Sequence, residues 1–284
     1  MSRLWKHALL AGACMGLLAG LLWWLGGAKQ RWVVYYGSAL PASDFTPYDV
    51  IVFDAVGHPP LGPLREDGKQ RIILGYISLG EASKDRPYEV HDLPGVRLAE
   101  NPFWKGSYTI DIRRPEWQDF VLDTLLPEIL NNGFDGIMID TYDSALELEK
   151  QDPITYKGMR DAGVSFIKRI RERYPRMKIM LNRGFDILPR VAPVIDMLLV
   201  ESVLADYNWD TKTSKLFPDA AYREHTKLFH EMAKLHPKLR IMTLDYWDPA
   251  DKAGVKNLYN IQRQSGFIPY VSTIDLQQVY AEPK

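Results

Sequence analysis

The feature that most restricts this chain is a rhythm of eight short apolar runs separated by longer amphipathic stretches. The runs are RWVVYYG, DVIVFD, RIILGYISLGE, DGIMID, KIMLN, DMLLVE, RIMTLD and FIPYVST. Hydrophobicity inside each run is continuous rather than alternating, the mark of strands buried on both faces, as in parallel sheets. PEWQDFVLDTLLPEILNNG, ITYKGMRDAGVSFIKRIRERYP, DAAYREHTKLFHEMAKLHP and PADKAGVKNLYNIQRQSG read as the intervening helices. Pro115 suits a first helical turn, and Pro127 is expected to kink that helix or end it early. Eight strands alternating with helices over roughly 250 residues predict an α/β fold of the (β/α)8 TIM-barrel type, as one domain from 31 to 284. A doubly wound open sheet is the alternative. It lacks support, because YYGSALP after the first run has one glycine and no G-x-G-x-x-G. The connections after the first two runs are short and poorly helical. YTIDIR, Tyr108 to Arg113, is a ninth strand candidate, expected as a ribbon over the barrel mouth.

Residues 1–30 form a separate segment. Arg3 and Lys6 precede an uncharged stretch, ALLAGACMGLLAGLLWWLGGA, from 8 to 28. At about 1.5 Å per residue a helix of that length spans a hydrocarbon layer of roughly 30 Å. One N-terminal transmembrane helix is expected, with the domain outside the cytoplasmic membrane of a bacterial envelope. A cleaved signal peptide, leaving a secreted domain, is the alternative, since Gly26 and Ala28 are small enough for a cleavage site. The lone cysteine, Cys14, permits no intrachain disulfide and reads as a buried membrane residue. A formal net charge of -1 does not favour nucleic acid as a partner.

Six of the eight runs end in, or lead to, an acid or amide: Asp54, Glu81, Asp140, Asn182, Glu201 and Asp245. In a (β/α)8 barrel these ends converge on the face that carries the active site. Like charges gathered there raise one carboxyl pKa and separate an acid from a base. Any one Asp in such a place equally caps a helix or opens a turn; the set carries more weight. Asp135 precedes its run and reads as a turn residue at the opposite end. No H-E-x-x-H, C-x-x-C, G-x-S-x-G or phosphate loop is present, and His225 and His230 share no helix face. No metal and no cofactor are expected, although a carboxylate ring suits Mg²⁺ or Ca²⁺. Paired carboxylates remain, the requirement of glycoside hydrolysis. Asp140 and Glu201, two strands apart across the mouth, are the best pair by position. About 5–5.5 Å between them implies retention, and about 6.5–9.5 Å inversion.

WVVYYG, DVIVFD, GYISLGE, FDGIMIDTYD and LLVES, in this order, resemble glycoside hydrolase family 114. These are endo-α-1,4-polygalactosaminidase-like barrels related to the hydrolase domain of the Pel polysaccharide system. The resemblance implies cleavage of α-1,4-linked, partly deacetylated galactosamine-rich exopolysaccharide, with a place in biofilm formation. It implies Asp140 as nucleophile and Glu201 as general acid/base. It places Tyr36, Asp54, Glu81, Asp143, Asn182 and Asp245 around the substrate. A glycan with free amino groups is cationic near neutral pH, and a pocket ringed by Asp54, Glu81, Asp143 and Asp245 would attract it. Tyr246 and Trp247, with Trp209, are candidates to stack on a sugar, against a role in loop packing. A glycan-binding barrel without catalysis and a metal-dependent phosphodiesterase are the other readings.

Overall fold

The structure is a computed structural model, and it describes residues 29–83, 86, 93–102 and 104–283. The expected membrane or signal segment, residues 8–28, lies outside the described residues. Among the described residues, no helix is long and apolar enough to cross a membrane.

Eight strands make one sheet: β1 (Trp32–Tyr35), β2 (Val50–Asp54), β3 (Ile72–Ser78), β4 (Gly136–Asp140), β5 (Lys178–Asn182), β6 (Met197–Glu201), β7 (Arg240–Tyr246) and β8 (Ile268–Ser272). They pair in chain order and are parallel throughout. A doubly wound sheet would reverse its order at a switch point, and this one does not. The ends are brought together by Trp32, whose ring meets Tyr270 edge-on at 5.8 Å. The Tyr36 N–H donates to the Leu276 carbonyl at 3.0 Å, just beyond β8. The fold is a TIM-type barrel.

The continuous apolar runs are explained by burial on both faces. Val33, Ile51, Val52, Ile73, Leu74, Ile137 and Ile139 are fully buried. Each such side chain contributes about 1.5–3 kcal/mol relative to an exposed one. The outer helices pack one stripe inward. Asp219–Leu235 buries Tyr222, Thr226, Phe229 and Met232, at helical spacing. Lys252–Gln264 starts at Asp251, whose side chain accepts from the Gly254 N–H at 2.9 Å.

Pro127 does not end its helix. The helical run passes from Pro115–Phe120 through a π turn, Val121–Leu125, into Leu126–Asn131. A wider turn accommodates the missing proline N–H and its ring. Tyr142–Gln151 is an additional helix in front of Met159–Arg173. After β1 and β2 the connections hold only Ala42–Phe45, a 3-10 turn, and the short helix Gly62–Glu66.

At the N-terminal end of the barrel, two acids tie neighbouring strands together. Asp135 accepts from the Ile73 N–H at 2.7 Å, and Asp196 accepts from the Ile179 N–H at 3.0 Å. Gly136 is required by a close approach: a Cβ there would lie 1.9 Å from the Lys178 carbonyl oxygen. At the other end a Cβ on Gly80 would lie 2.0 Å from the Thr141 carbonyl oxygen. Both glycines belong to the motifs quoted above, and both are spaces for backbone.

Two excursions rise from the C-terminal ends of the strands. One is a three-stranded antiparallel ribbon of Glu81–Ser83, Arg97–Glu100 and Ser107–Ile110. The last of these is the central strand and overlaps the expected ninth strand at residues 108–110. The other is a hairpin of Ala205–Asn208 and Thr213–Leu216.

Candidate active site

Asp140 closes β4, Asn182 closes β5 and Glu201 closes β6, so barrel register brings three polar tips to adjacent positions. The Asn182 Nδ2 amide donates to Asp140 Oδ1 at 2.8 Å and to Glu201 Oε2 at 3.0 Å. These two carboxylate oxygens therefore lie within 5.8 Å of each other, the sum of the two bonds. The two hydrogens of one amide diverge by about 120°, which puts the oxygens about 5 Å apart.

The residue after each tip has a left-handed backbone: Thr141 at φ 57°, Arg183 at φ 58° and Ser202 at φ 54°. None is glycine, and the conformation costs about 1–2 kcal/mol for an L-residue. In all three the chain turns away immediately beyond the polar side chain, while the strand below holds that side chain inward.

Tyrosines wall the pair. The Tyr246 hydroxyl, from β7, donates to Glu201 Oε1. Tyr76, from β3, hydrogen-bonds Asp140. The Tyr36 ring meets Tyr76 edge-on at 5.0 Å. Burial first, and then the charge of Glu201, pushes the Asp140 carboxyl above its ordinary range; its bonds from Asn182, Thr141 and Tyr76 oppose this. Burial and the nearby carboxylates push the phenols of Tyr36 and Tyr246 well up, so both remain protonated. Asp140, Asn182, Glu201, Tyr36, Tyr76 and Tyr246 line one cavity of about 750 Å³. Among the described residues, no three His, Cys, Asp or Glu side chains gather as a metal-ligand set.

The other expected site residues divide. Asp143 lines the cavity, with Arg183 Nε 2.8 Å from its Oδ2. Burial raises its pKa, and Arg183 opposes the shift. Glu81 also borders the cavity, but its two oxygens are occupied: Asn101 Nδ2 donates at 2.9 Å and Ser107 Oγ at 2.7 Å. It secures the ribbon. Asp54 does not line the cavity. Arg86 takes both its oxygens at 2.7 Å and stands over the Tyr76 ring, 5.0 Å from its centre. Asp245 faces away, because Leu244 and Tyr246 take the inward positions of β7. It is buried; Oδ1 accepts from the Leu204 and Ala205 N–H groups and Oδ2 from Gln262. Asp245 secures the base of the hairpin. Trp247 packs in its loop and donates to Asp251 at 2.9 Å. Tyr246 is 4% exposed, so it offers its hydroxyl rather than a face for stacking.

Sequence reasoning missed Tyr76, Arg86, Trp104 and Arg183, all of which line the cavity. Tyr76 was open to discovery, since it lies one pleat before Ser78 inside the GYISLGE motif. Trp104 had no signal, standing in a turn of the ribbon far from any apolar run.

A (β/α)8 barrel whose mouth holds two hydrogen-bonded carboxylates in a tyrosine-walled cleft has the build of a glycoside hydrolase. The chain belongs to glycoside-hydrolase family GH114, whose sequence profile matches residues 19–284. The glycoside hydrolase domain of PelA from Pseudomonas aeruginosa is similar, with TM-score 0.75 and 25% identity, covering 90% of this chain and 99% of that one. Ega3 of Aspergillus fumigatus, solved as a complex with galactosamine, shares the fold at TM-score 0.64 and 15% identity, over 88% of this chain and 92% of that one. An uncharacterised protein of Deinococcus radiodurans is 26% identical over 89% of this chain and 83% of its own length.

Proposed function

We propose that this hydrolase cleaves α-1,4-linked, partly deacetylated galactosamine-rich polysaccharide with retention of anomeric configuration. The observation that carries the mechanism is the shared Asn182 nitrogen, which holds the facing oxygens of the two carboxyls within 5.8 Å, less than the gap an inverting pair keeps for water. Glu201 would protonate the glycosidic oxygen while an Asp140 oxygen attacks the anomeric carbon. The bond to the leaving sugar breaks and a glycosyl-Asp140 ester forms. Glu201 then takes a proton from water, water attacks the same carbon, and the ester bond breaks to restore both carboxyls. The role of Asp140 as nucleophile follows the family resemblance. Burial and the Glu201 charge raise the Asp140 pKa, and the hydrogen bonds from Asn182, Thr141 and Tyr76 oppose that rise in favour of the anion.

The charge argument for an amino sugar is narrower than the sequence suggested. Asp54 is paired with Arg86, Asp245 is sealed against a helix, and Glu81 is held by the ribbon. Asp143 is paired with Arg183, so attraction for a cation falls to the pair itself. The substrate therefore rests on the family, and the galactosamine bound by Ega3 makes the amino sugar the first probe. The test is product analysis on acetylated and deacetylated galactosamine and glucosamine polymers, with the anomer of the first product read by proton NMR. Oligosaccharides carrying the substrate's anomeric configuration support the reading. Initial release of the opposite anomer would exclude the double displacement. The expected envelope location, with residues 8–28 as anchor, would bring such an enzyme to an extracellular polymer.

A further inference from the structure

The two excursions above the barrel meet through a pair of tryptophans. Trp104 sits in the turn between Arg97–Glu100 and Ser107–Ile110, and Trp209 in the turn after Ala205–Asn208. Their rings stand edge to face, 5.9 Å apart at 88°. Trp209 also meets Tyr207 at 5.2 Å, and Tyr207 meets Tyr246 at 6.3 Å. An aromatic track therefore runs from the hydroxyl on Glu201 outward to the rim.

Both tryptophans line the catalytic cavity, yet Trp104 is 58% exposed and Trp209 61%. Neither belongs to the core, so packing of the barrel does not account for them. The turns that carry them are closed by hydrogen bonds from backbone N–H groups. The Trp104 carbonyl accepts from the Ser107 N–H at 3.0 Å, and Asn208 Oδ1 accepts from the Asp210 and Thr211 N–H groups at 3.0 and 2.8 Å. The supports below are Glu81 under the ribbon and Asp245 under the hairpin. Two buried acids thus fix the turns that present two exposed indoles. Large apolar faces exposed at the edge of a polar cleft suit a ligand with an apolar face and polar edges. A pyranose ring has that form: axial C–H groups on its face, hydroxyls around it.

We propose that Trp104 and Trp209 form a stacking subsite for a pyranose of the polysaccharide beyond the linkage that is cut. Tyr207 and Tyr246 separate this pair from Glu201, so the sugar it holds is not the one that reacts. The consequence is selection for chain length. This rests on the glycosidase reading given above.

The test uses the Asp140→Asn protein, so that the ligand is not consumed. Its affinity is measured by calorimetry for a partly deacetylated α-1,4-galactosamine polymer and for a ladder of its oligomers. Trp104→Ala and Trp209→Ala are then added singly, with Trp→Phe at each position, and folding is checked by circular dichroism. Each alanine is expected to weaken polymer binding by about tenfold, and phenylalanine to restore most of it. The loss should shrink as the oligomer shortens. Alanine variants that bind polymer as tightly as their parent overturn the proposal. So does an equal loss at every length, or a parent that does not bind the polymer. If the polymer binds through the tryptophans but wild-type protein releases no oligosaccharide, the subsite stands and the hydrolytic assignment for this polymer falls.

Discussion

Asp140 and Glu201 accept hydrogen bonds from a single nitrogen, Asn182 Nδ2, at 2.8 and 3.0 Å. One amide thus sets the spacing of the two carboxyl groups. Both its hydrogens are spent this way, which fixes the orientation of the amide; its buried Oδ1 has no partner among the described protein atoms. We propose that Asn182, which lines the cavity, acts as a positioning residue for the pair. Replacing it by alanine should lower kcat by about 10²-fold. The Asn182 bond also holds the Asp140 pKa down. Without it Asp140 ionises at higher pH, so the acidic limb of kcat/KM should move to higher pH. A profile that fell in height without moving would assign Asn182 to spacing alone.

Asp140→Asn and Glu201→Gln should each reduce cleavage by about 10³-fold or more while leaving the circular dichroism spectrum unchanged. Wild-type rates in both variants would refute the assigned roles.

The same aspartate makes a pH prediction. Burial, then Glu201, raises Asp140 above its ordinary 3.8. A carboxyl raised on folding binds its proton more tightly in the native state. Stability therefore declines as pH rises from 3.8 through the folded value, and stays lower above it. Each tenfold change in proton affinity is worth about 1.4 kcal/mol. Asp140→Asn should accordingly raise Tm at neutral pH by a few degrees, and the gain should vanish toward pH 3.8. Thermal melts across this range decide the matter, and a lower Tm at neutral pH is the contrary result.

Gly80→Ala would set a methyl 2.0 Å from the Thr141 carbonyl oxygen, next to Asp140. Backbone must shift to admit it. A loss of about 1–3 kcal/mol is expected in urea unfolding, together with a fall in kcat. An alanine variant of unchanged stability and rate would show that the approach is not tight in solution.

Asp245→Ala removes the acceptor for the Leu204 and Ala205 N–H groups and for the Gln262 amide. Leaving such donors buried and unpaired costs about 1–3 kcal/mol each. The protein should be destabilised by at least about 2 kcal/mol, and limited proteolysis should cut first between 205 and 216. Resistance to protease equal to wild type would deny Asp245 its place under the hairpin.

The barrel was legible in the sequence because its cause is local: strands buried on both faces read as unbroken apolar runs. Tyr142–Gln151 was not legible, because that acidic segment buries just Tyr142, Ala145 and Leu146, with Leu148 partly buried against the core. Asp140 and Glu201 could be picked out because they are the last residues of their strands, and both line one cavity. Asp245 was misplaced for the same reason. Its strand runs one residue further, and Tyr246 takes the inward position. A shift of one along a strand reverses the facing of a side chain, and RIMTLD gives no sign of the extra residue. Asp54 was misplaced because its partner, Arg86, arrives from a later excursion. Trp104 and Trp209 meet only through the tertiary fold, and periodicity does not report on such meetings.

The three left-handed residues, Thr141, Arg183 and Ser202, have a consequence for how this scaffold can vary. Each marks a joint at which the pleated segment stops and the loop departs. The chemistry below the joints is held by the barrel; everything above them is free to differ in length and character. Exchanging the upper segments between relatives, cut just after these positions, should transplant polymer preference and leave the reaction itself where it is.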